Sequence, residues 1–262
     1  MIAVIQNIKP ISVVGAGAWG TALAVHLASL GHQVTLWGKG DEMQLLAKER
    51  QNKRYLPGID FPETLTVGGD WVALTALAEN VLLAVPSHVF RLVLVGLHPH
   101  FKSDTNLIWA TKGLDAEQHR LLDDVVEEIC GSAQRRAVLS GPSFAKEVGQ
   151  GLPTAVVIAS KEAALAQYFA TLFNAPRFRV YTSTDMVGVQ LGGALKNVIA
   201  IGAGMSDGFG FGANARTALI TRGLAELCRL GCALGARSDT FMGMAGLGDL
   251  ILTCTDNQSR NR

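Results

Sequence analysis

Short apolar runs rich in β-branched residues alternate with helical stretches along the first part of the chain. The runs are SVV, QVTLW, NVLLAVP, NLIWATKG, AVLSGP and TAVVIAS. Such alternation predicts parallel strands joined by crossover helices. Some of the runs contain continuous apolar stretches, such as Val81 to Val85, which indicate strands buried on both faces. We therefore predict a doubly wound α/β sheet whose strands end in turn-forming residues, where a ligand would bind.

Helical periodicity replaces these runs after about Tyr181. Apolar or small residues then recur at steps of three and four, at Leu219, Ile220, Gly223, Leu224, Leu227 and Leu234. We predict two closely packed domains, an α/β domain over residues 9–182 and an all-helical domain over residues 183–262. Because the chain stops in a polar segment at Asn261 and Arg262, we expect the natural protein to continue and the helical domain to be incomplete here.

Composition narrows the class of protein. The chain has 262 residues, 48% hydrophobic and 17% charged, which suits a globular protein with a sizeable core and excludes dominant disorder. Its net charge of +1 provides no general footprint for nucleic acid or for an anionic membrane. The four cysteines form no C-x-x-C, so we expect reduced thiols in a cytoplasmic protein. We predict no metal site, signal peptide or membrane span.

The segment from Gly15 to Gly20 matches G-x-G-x-x-G between the first predicted strand and an apolar helix. In that motif Gly15 permits a tight turn, Gly17 allows close approach of a pyrophosphate, and Gly20 lets helix and strand pack. Glycine-rich turns also occur in flavoproteins and methyl-donor enzymes. Its context nevertheless favours a dinucleotide-binding, Rossmann-like domain over a purely structural turn.

The end of the second predicted strand bears on the choice of dinucleotide. An acidic residue about 20 positions after the motif would bind the ribose hydroxyls of NAD, but the strand ends in Trp37-Gly38-Lys39. Lysine there favours a 2′-phosphate, so we predict NADP(H) as the preferred cofactor, with NAD(H) possible. The alternative is that Lys39 is a solvated turn residue and that Asp41 binds the ribose.

Two further strand ends carry candidate ligand-binding residues. Lys112 follows one strand, and Gly141-Pro142-Ser143 follows the next. A lysine beside a cofactor can bind a substrate anion, although most loop lysines are only solvated. Ser143 is a natural helix N-cap, and the free backbone N–H groups of that helix would suit an oxygen-rich ligand.

Lys196 is the only charged residue in GVQLGGALKNVIAIGAGM. Its helical neighbours include Gly192 and Gly193, and each helical glycine costs roughly 1 kcal/mol relative to alanine. The glycines therefore serve close packing between domains, ligand room beside Lys196, or both. Asn197 offers a second polar group.

Asp249 is a similarly isolated charge, the one carboxylate within the run GLGDLILTCT. It could be a simple N-cap. Two lone and opposite charges in apolar helices would also pair in a shared cleft, so we predict contact with Lys196. The segment Ser259-Arg260-Asn261 combines the planar guanidinium of Arg260 with the amide of Asn261, which would suit binding of a phosphate. Such a segment could equally be a solvated tail.

Taken together, eight motifs of the chain resemble NAD(P)-dependent glycerol-3-phosphate dehydrogenases of the bacterial type. They are GAGAWGTALA, VPSH, TKG, SGPSFAKE, LGGALKNV, GANARTALITRG, GLGDLILTCT and NQSRNR. The resemblance implies a Rossmann-like domain followed by a helical domain. It also implies interconversion of dihydroxyacetone phosphate and sn-glycerol 3-phosphate, which supplies phospholipid synthesis. The open alternatives are a related Rossmann dehydrogenase acting on a β-hydroxyacid and a non-catalytic dinucleotide sensor.

The resemblance also assigns roles to residues. Lys196 would be the catalytic acid and base, with Lys112 and Asp249 beside it. The implied cofactor contacts beyond the glycine motif are Ala18, Trp19, Lys39, Lys112, Ala145 and Arg260. The implied substrate contacts are Lys112, Gly141, Ser143, Lys196, Asn197, Asp249, Ser259, Arg260 and Asn261. We expect a small phosphorylated substrate and a homodimer.

Overall fold

The computed structural model describes residues 10–40, 42–68, 70 and 78–259. Ten strands lie in these ranges. They are β1 (Ile11–Val14), β2 (Val34–Trp37), β3 (Gln51–Asn52), β4 (Leu56–Asp60), β5 (Leu65–Val67), β6 (Asn80–Leu83), β7 (Asn106–Trp109), β8 (Arg136–Ser140), β9 (Thr154–Ala159) and β10 (Phe178–Ser183).

Helices connect the strands and then form the whole of the C-terminal part described. They are α1 (Ala18–Ser29), α2 (Glu42–Glu49), α3 (Ser87–Leu97), α4 (Leu122–Cys130), α5 (Ala145–Gly149), α6 (Ala163–Phe173), α7 (Met186–Gly208), α8 (Gly212–Ala233), α9 (Ser238–Met242) and α10 (Asp249–Thr255). A 3-10 turn covers His98–His100, and a π-helical turn, Met244–Gly248, leads directly into α10. The predicted change from α/β to helical structure is confirmed; the domain limits at 182 and 183 stay a prediction.

Eight strands form one sheet in the order β10-β9-β8-β7-β6-β1-β2-β5. The expectation of a uniformly parallel sheet is wrong at one pair, because β8 and β9 are antiparallel while the other neighbouring pairs are parallel. An apolar run does not encode strand direction, which depends on the route of the connection. The parallel strands β1, β6, β7 and β8 therefore end at one edge, and β9 starts there.

Both faces of the sheet are covered, as the fully apolar strands predicted. One face packs against α1 and α6 through residues such as Leu23, Leu27 and Phe169. The other packs against α3, α4 and the start of α7 through residues such as Phe90 and Val189. This two-sided burial makes the sheet a rigid platform for the loops at its carboxyl edge.

Helix α7 connects the sheet to the helical part of the molecule. Its length and composition alone would allow it to cross a membrane, although we predicted no span from the sequence. In the fold, 56% of its most apolar window is buried against the rest of the protein, as in the core helix of a globular protein. The helix also crosses the carboxyl edge of the sheet, and this crossing brings its one lysine to the candidate site.

Candidate active site

The glycine loop joins β1 to α1 at the carboxyl edge of the sheet. Gly15 has φ +120, and a Cβ there would lie 2.6 Å from the Ala84 carbonyl oxygen. A Cβ on Gly20 would overlap the Gly15 carbonyl oxygen, so Gly20 lets the helix and the strand approach each other. Gly17 is different, because no atom lies within 4 Å of its Cβ position. The loop thus leaves open space at Gly17, at the N-terminus of α1, where backbone N–H groups favour an anion.

The flanks of this loop are fixed by contacts that the sequence analysis did not anticipate. The Asn52 side chain donates to the Ala16 carbonyl at 2.9 Å and to Thr21 Oγ1 at 2.8 Å. A Cβ on Gly38 would lie 2.7 Å from the Ala16 Cβ, so the end of β2 abuts the loop. Exposed Lys39 follows directly and lies in the turn beside the loop. No local pattern marked Asn52, because its partners are distant in sequence.

The remaining predicted cofactor contacts lie at the start of α1, in the core below the loop, or outside the described residues. Ala18 begins α1, and Trp19 and Ala145 are half-buried against the core below the loop. Trp19 Nε1 is buried without a hydrogen-bond partner in the described part of the chain. Arg260 and Asp41 lie outside the described residues.

Lys112 lies at the carboxyl edge of β7, as its position after that strand predicted. Its Nζ donates to the Gly141 carbonyl oxygen, at the end of β8, at 2.8 Å. It also donates to Asp249 Oδ2 at 2.8 Å. The bond to Gly141 was not foreseen, and together the two contacts hold the ammonium between the sheet edge and the helical part.

Lys196 and Asp249 form the ion pair that their isolation in apolar helices predicted. Lys196 Nζ lies 2.5 Å from Asp249 Oδ1. Lys196 is only 8% exposed, and Asp249 is fully buried. Each oxygen of the carboxylate therefore receives a different lysine, which reduces the cost of burying these charges.

The glycines of α7 explain how these charges come together. A Cβ on Gly192 would overlap the Ala245 carbonyl oxygen, and one on Gly193 would lie 2.6 Å from Ser140 Oγ and 3.5 Å from Lys112 Cγ. Of the two readings of these glycines, the geometry supports close packing. They bring α7 against the π-helical turn and against the Lys112 side chain, one helical turn before Lys196.

The π-helical turn sets the position of Asp249, the first residue of α10. A Cβ on Gly246 would overlap the backbone of Phe241, so this turn is packed against α9 without side-chain room. Thr253 Oγ1 donates to the Asp249 backbone carbonyl at 2.6 Å. The Asp249 side chain caps no helix end and is directed to the two lysines. π-helical turns often occur at functional sites, but no simple sequence signal predicted this one.

The electrostatics of the cluster change the acidity of Lys196. The pKa of Lys196 is lowered to about 8, mainly by burial and then by the positive charge of Lys112, while Asp249 opposes both effects. A lysine in this state can both give and accept a proton near neutral pH.

Three predicted substrate residues have different outcomes. Ser143 is not an N-cap, because α5 is preceded by Phe144 and the Ser143 hydroxyl donates to the Gly141 carbonyl at 3.1 Å. Asn197 is half-buried beside Lys196. Ser259 Oγ is buried without a hydrogen-bond partner among the described residues. Arg260 and Asn261 lie outside those residues.

Comparison with known families matches this arrangement along nearly the whole chain. The model described as NAD-dependent glycerol-3-phosphate dehydrogenase N-terminus matches residues 10–166. The corresponding C-terminus model matches residues 185–262. The two matched segments contain the glycine loop and the Lys196–Asp249 pair, respectively.

Individual relatives agree with the family match. The chain is 58% identical over 261 residues to a glycerol-3-phosphate dehydrogenase [NAD(P)+] of Yersinia pestis, covering 98% of this chain and 77% of the relative. The crystal structure of glycerol-3-phosphate dehydrogenase from Coxiella burnetii superposes with a TM-score of 0.93 at 47% identity, over 97% of this chain and 78% of that one. The enzyme from Saccharomyces cerevisiae superposes with a TM-score of 0.84 at 28% identity, over 98% of this chain and 79% of that one.

Proposed function

This chain belongs to the NAD-dependent glycerol-3-phosphate dehydrogenase family, and we propose that Lys196 is the proton donor and acceptor of its reaction. The enzyme interconverts dihydroxyacetone phosphate and glycerol 3-phosphate with a nicotinamide dinucleotide. Of the three activities considered from sequence, the β-hydroxyacid dehydrogenase and the non-catalytic sensor are thereby set aside. The observation that carries the proposal is the buried Lys196–Asp249 pair at the carboxyl edge of the sheet.

The proposed roles follow from charge and position. When bound, the dinucleotide would supply the hydride chemistry at the central carbon of the substrate. In reduction, Lys196 in its ammonium form gives a proton to the ketone oxygen, which becomes a hydroxyl group. In oxidation, the neutral amine takes that proton back. Asp249 orients both ammonium groups, and Lys112 stabilises negative charge on the reacting oxygen.

The test of this role is substitution of Lys196 by alanine. Because acid–base catalysis contributes about a hundredfold to ten-thousandfold, we expect turnover of Lys196→Ala to fall by such a factor in both directions. NADPH binding should be retained, since the glycine loop is formed by other elements. Lys102→Ala, at an exposed loop lysine, is the matched control and should keep full activity. Near-normal turnover of Lys196→Ala would overturn the proposal.

Preference for NADP(H) over NAD(H) is a finer proposal, supported by exposed Lys39 beside the glycine loop. Its ammonium would pair with the 2′-phosphate, whereas an acidic residue would bind the 2′-hydroxyl. Lys39→Asp should therefore move the ratio of kcat/KM values from NADPH toward NADH. Lys48→Asp, on the exposed side of α2, is the control. An unchanged ratio of kcat/KM values would show that Lys39 does not contribute to the cofactor preference.

Recognition of the substrate phosphate is proposed for Ser259, Arg260 and Asn261, with Gly141, Ser143 and Asn197 completing the substrate contacts. The support from the described residues is the unpartnered, buried Ser259 hydroxyl. Arg260→Lys should raise the KM for dihydroxyacetone phosphate because the planar fork is lost; an unchanged KM would contradict the assignment. A homodimer, a cytoplasmic location and a role in phospholipid supply stay predictions from the sequence.

A further inference from the structure

A cavity lies at the far end of α1 from the glycine loop. It has a volume of about 320 Å³ and is formed by the last turn of α1, the segment after α5 and the start of β10. Its apolar walls include Leu30, Val148 and Leu152. This size is at the lower limit of small-molecule pockets, which are mostly apolar with a few polar groups. Because the lining residues His26 to Leu30 follow the first residue of α1 by 8 to 12 positions, they lie about 12 to 18 Å along the helix axis from the glycine loop.

One wall of the cavity is formed by two uncharged aromatic rings that are tilted against each other. The rings of His26 and Phe178 lie 4.1 Å apart, centroid to centroid. His26 Nε2 lies 2.7 Å from the Phe173 carbonyl oxygen. That oxygen can only accept a hydrogen bond, so Nε2 carries the hydrogen. Burial lowers the pKa of His26, with a further lowering from nearby His32, so the ring is neutral at physiological pH.

Among the described residues, Arg177 supplies the one cationic group that lines the cavity. Its side chain is exposed, and its guanidinium has no hydrogen-bond or ion-pair partner among residues 10–40, 42–68, 70 and 78–259. Most other described arginines, such as Arg136 and Arg216, are paired with carboxylates. A guanidinium can hold a carboxylate through two parallel hydrogen bonds. The hydroxyl of Ser29, at the cavity mouth, is engaged with the His26 carbonyl.

We propose that this cavity binds a small apolar carboxylate, with its hydrocarbon or aromatic body against His26 and Phe178 and its carboxylate on Arg177. The site is separate from the dinucleotide loop and from the Lys196–Asp249 pair. Its ligand therefore binds together with NADPH and the substrate instead of competing with them.

The test uses 2-naphthoate as the probe and 2-naphthamide as its uncharged counterpart, titrated by calorimetry against the intact protein. Loss of a charged hydrogen bond in Arg177→Gln should weaken 2-naphthoate binding by about tenfold and leave 2-naphthamide nearly unchanged. Arg179→Gln is the matched control, since Arg179 is exposed two residues later, in β10, but does not line the cavity. Ser29→Trp should block the mouth and abolish binding of both probes.

Each outcome decides the proposal. All three variants should keep the dehydrogenase rate of the unmodified protein, which shows that they are folded. Probe affinity should be the same with and without saturating NADPH. The proposal is overturned if 2-naphthoate does not bind, if Arg177→Gln and Arg179→Gln lose equal affinity, or if NADPH displaces the probe.

Discussion

The two glycine-rich segments of this protein use the same residue for opposite purposes. In the loop before α1, Gly17 has nothing within 4 Å of its Cβ position, and the chain thereby keeps space for a ligand. In α7, a Cβ on Gly192 would overlap the Ala245 carbonyl oxygen. There the missing side chain lets two helical segments come into contact, so that no space is left between them and their charges pair. A glycine cluster thus indicates that another group comes close to the backbone. The atoms around each glycine show whether that group is a ligand or another part of the protein.

The contrast also concerns how each region holds charge. The loop offers backbone N–H groups and a helix N-terminus, which are fixed partial charges that do not titrate. The α7 region offers Lys196, Lys112 and Asp249, whose full charges depend on one another. We therefore expect substitutions in the loop to change cofactor affinity, and substitutions around α7 to change turnover, stability and pH dependence.

The largest expected effect is that of Asp249→Asn. It removes the carboxylate that both lysines contact and leaves their ammonium groups without a counter-ion. Breaking a buried ion pair by removing one partner costs about 3 to 5 kcal/mol, so the free energy of unfolding should fall by that order. We also expect kcat to fall by a factor at least as large as the factor by which KM rises. Chemical denaturation and steady-state kinetics measure both, and Asp239→Asn, on the exposed surface, is the control. A variant as stable and active as the parent would mean that the two lysines are not held by Asp249.

Gly192→Ala should have the next largest effect. The new methyl group would overlap the Ala245 carbonyl oxygen, so the π-helical turn and Asp249 behind it must shift. Overpacking of this kind costs about 1 to 3 kcal/mol, and we expect kcat to fall while NADPH affinity stays. Gly208→Ala is the matched control at the end of the same helix, because nothing lies within 4 Å of that position. Equal behaviour of the two variants would argue against the packing role of Gly192.

Gly17→Ala should act on the cofactor alone. Its Cβ meets no protein atom, so thermal unfolding should be unchanged. The methyl group would occupy the space left for the pyrophosphate, and we expect the KM for NADPH to rise by about tenfold, or 1.4 kcal/mol. Gly20→Ala is the informative comparison, because its Cβ would overlap the Gly15 carbonyl and should destabilise the fold. If Gly17→Ala binds NADPH normally, the open space does not belong to the pyrophosphate.

The smallest expected effect is a pH dependence set by Lys196. Its pKa is lowered to about 8, so reduction of dihydroxyacetone phosphate, which needs the ammonium form, should decline above that pH. Oxidation of glycerol 3-phosphate needs the neutral amine and should rise through the same range. The positive charge of Lys112 contributes to the lowering, so Lys112→Met should move both inflections to higher pH. Inflections that stay in place in the variant would show that Lys112 does not act on Lys196.

The glycine loop, the doubly buried strands and the isolation of Lys196 and Asp249 could be predicted from the order of the residues alone. These features are local or periodic, and an unpaired charge in an apolar helix is costly enough to predict its partner. Three other features became visible only in the folded chain: the antiparallel pairing of β8 with β9, the anchoring of the loop by Asn52, and the contact of Lys112 with both Gly141 and Asp249. Each of these depends on atoms distant in sequence, whose distances follow from the route of the chain. For the same reason the sequence left Ser143 as an expected N-cap, whereas the observed helix begins one residue too late for its hydroxyl to serve.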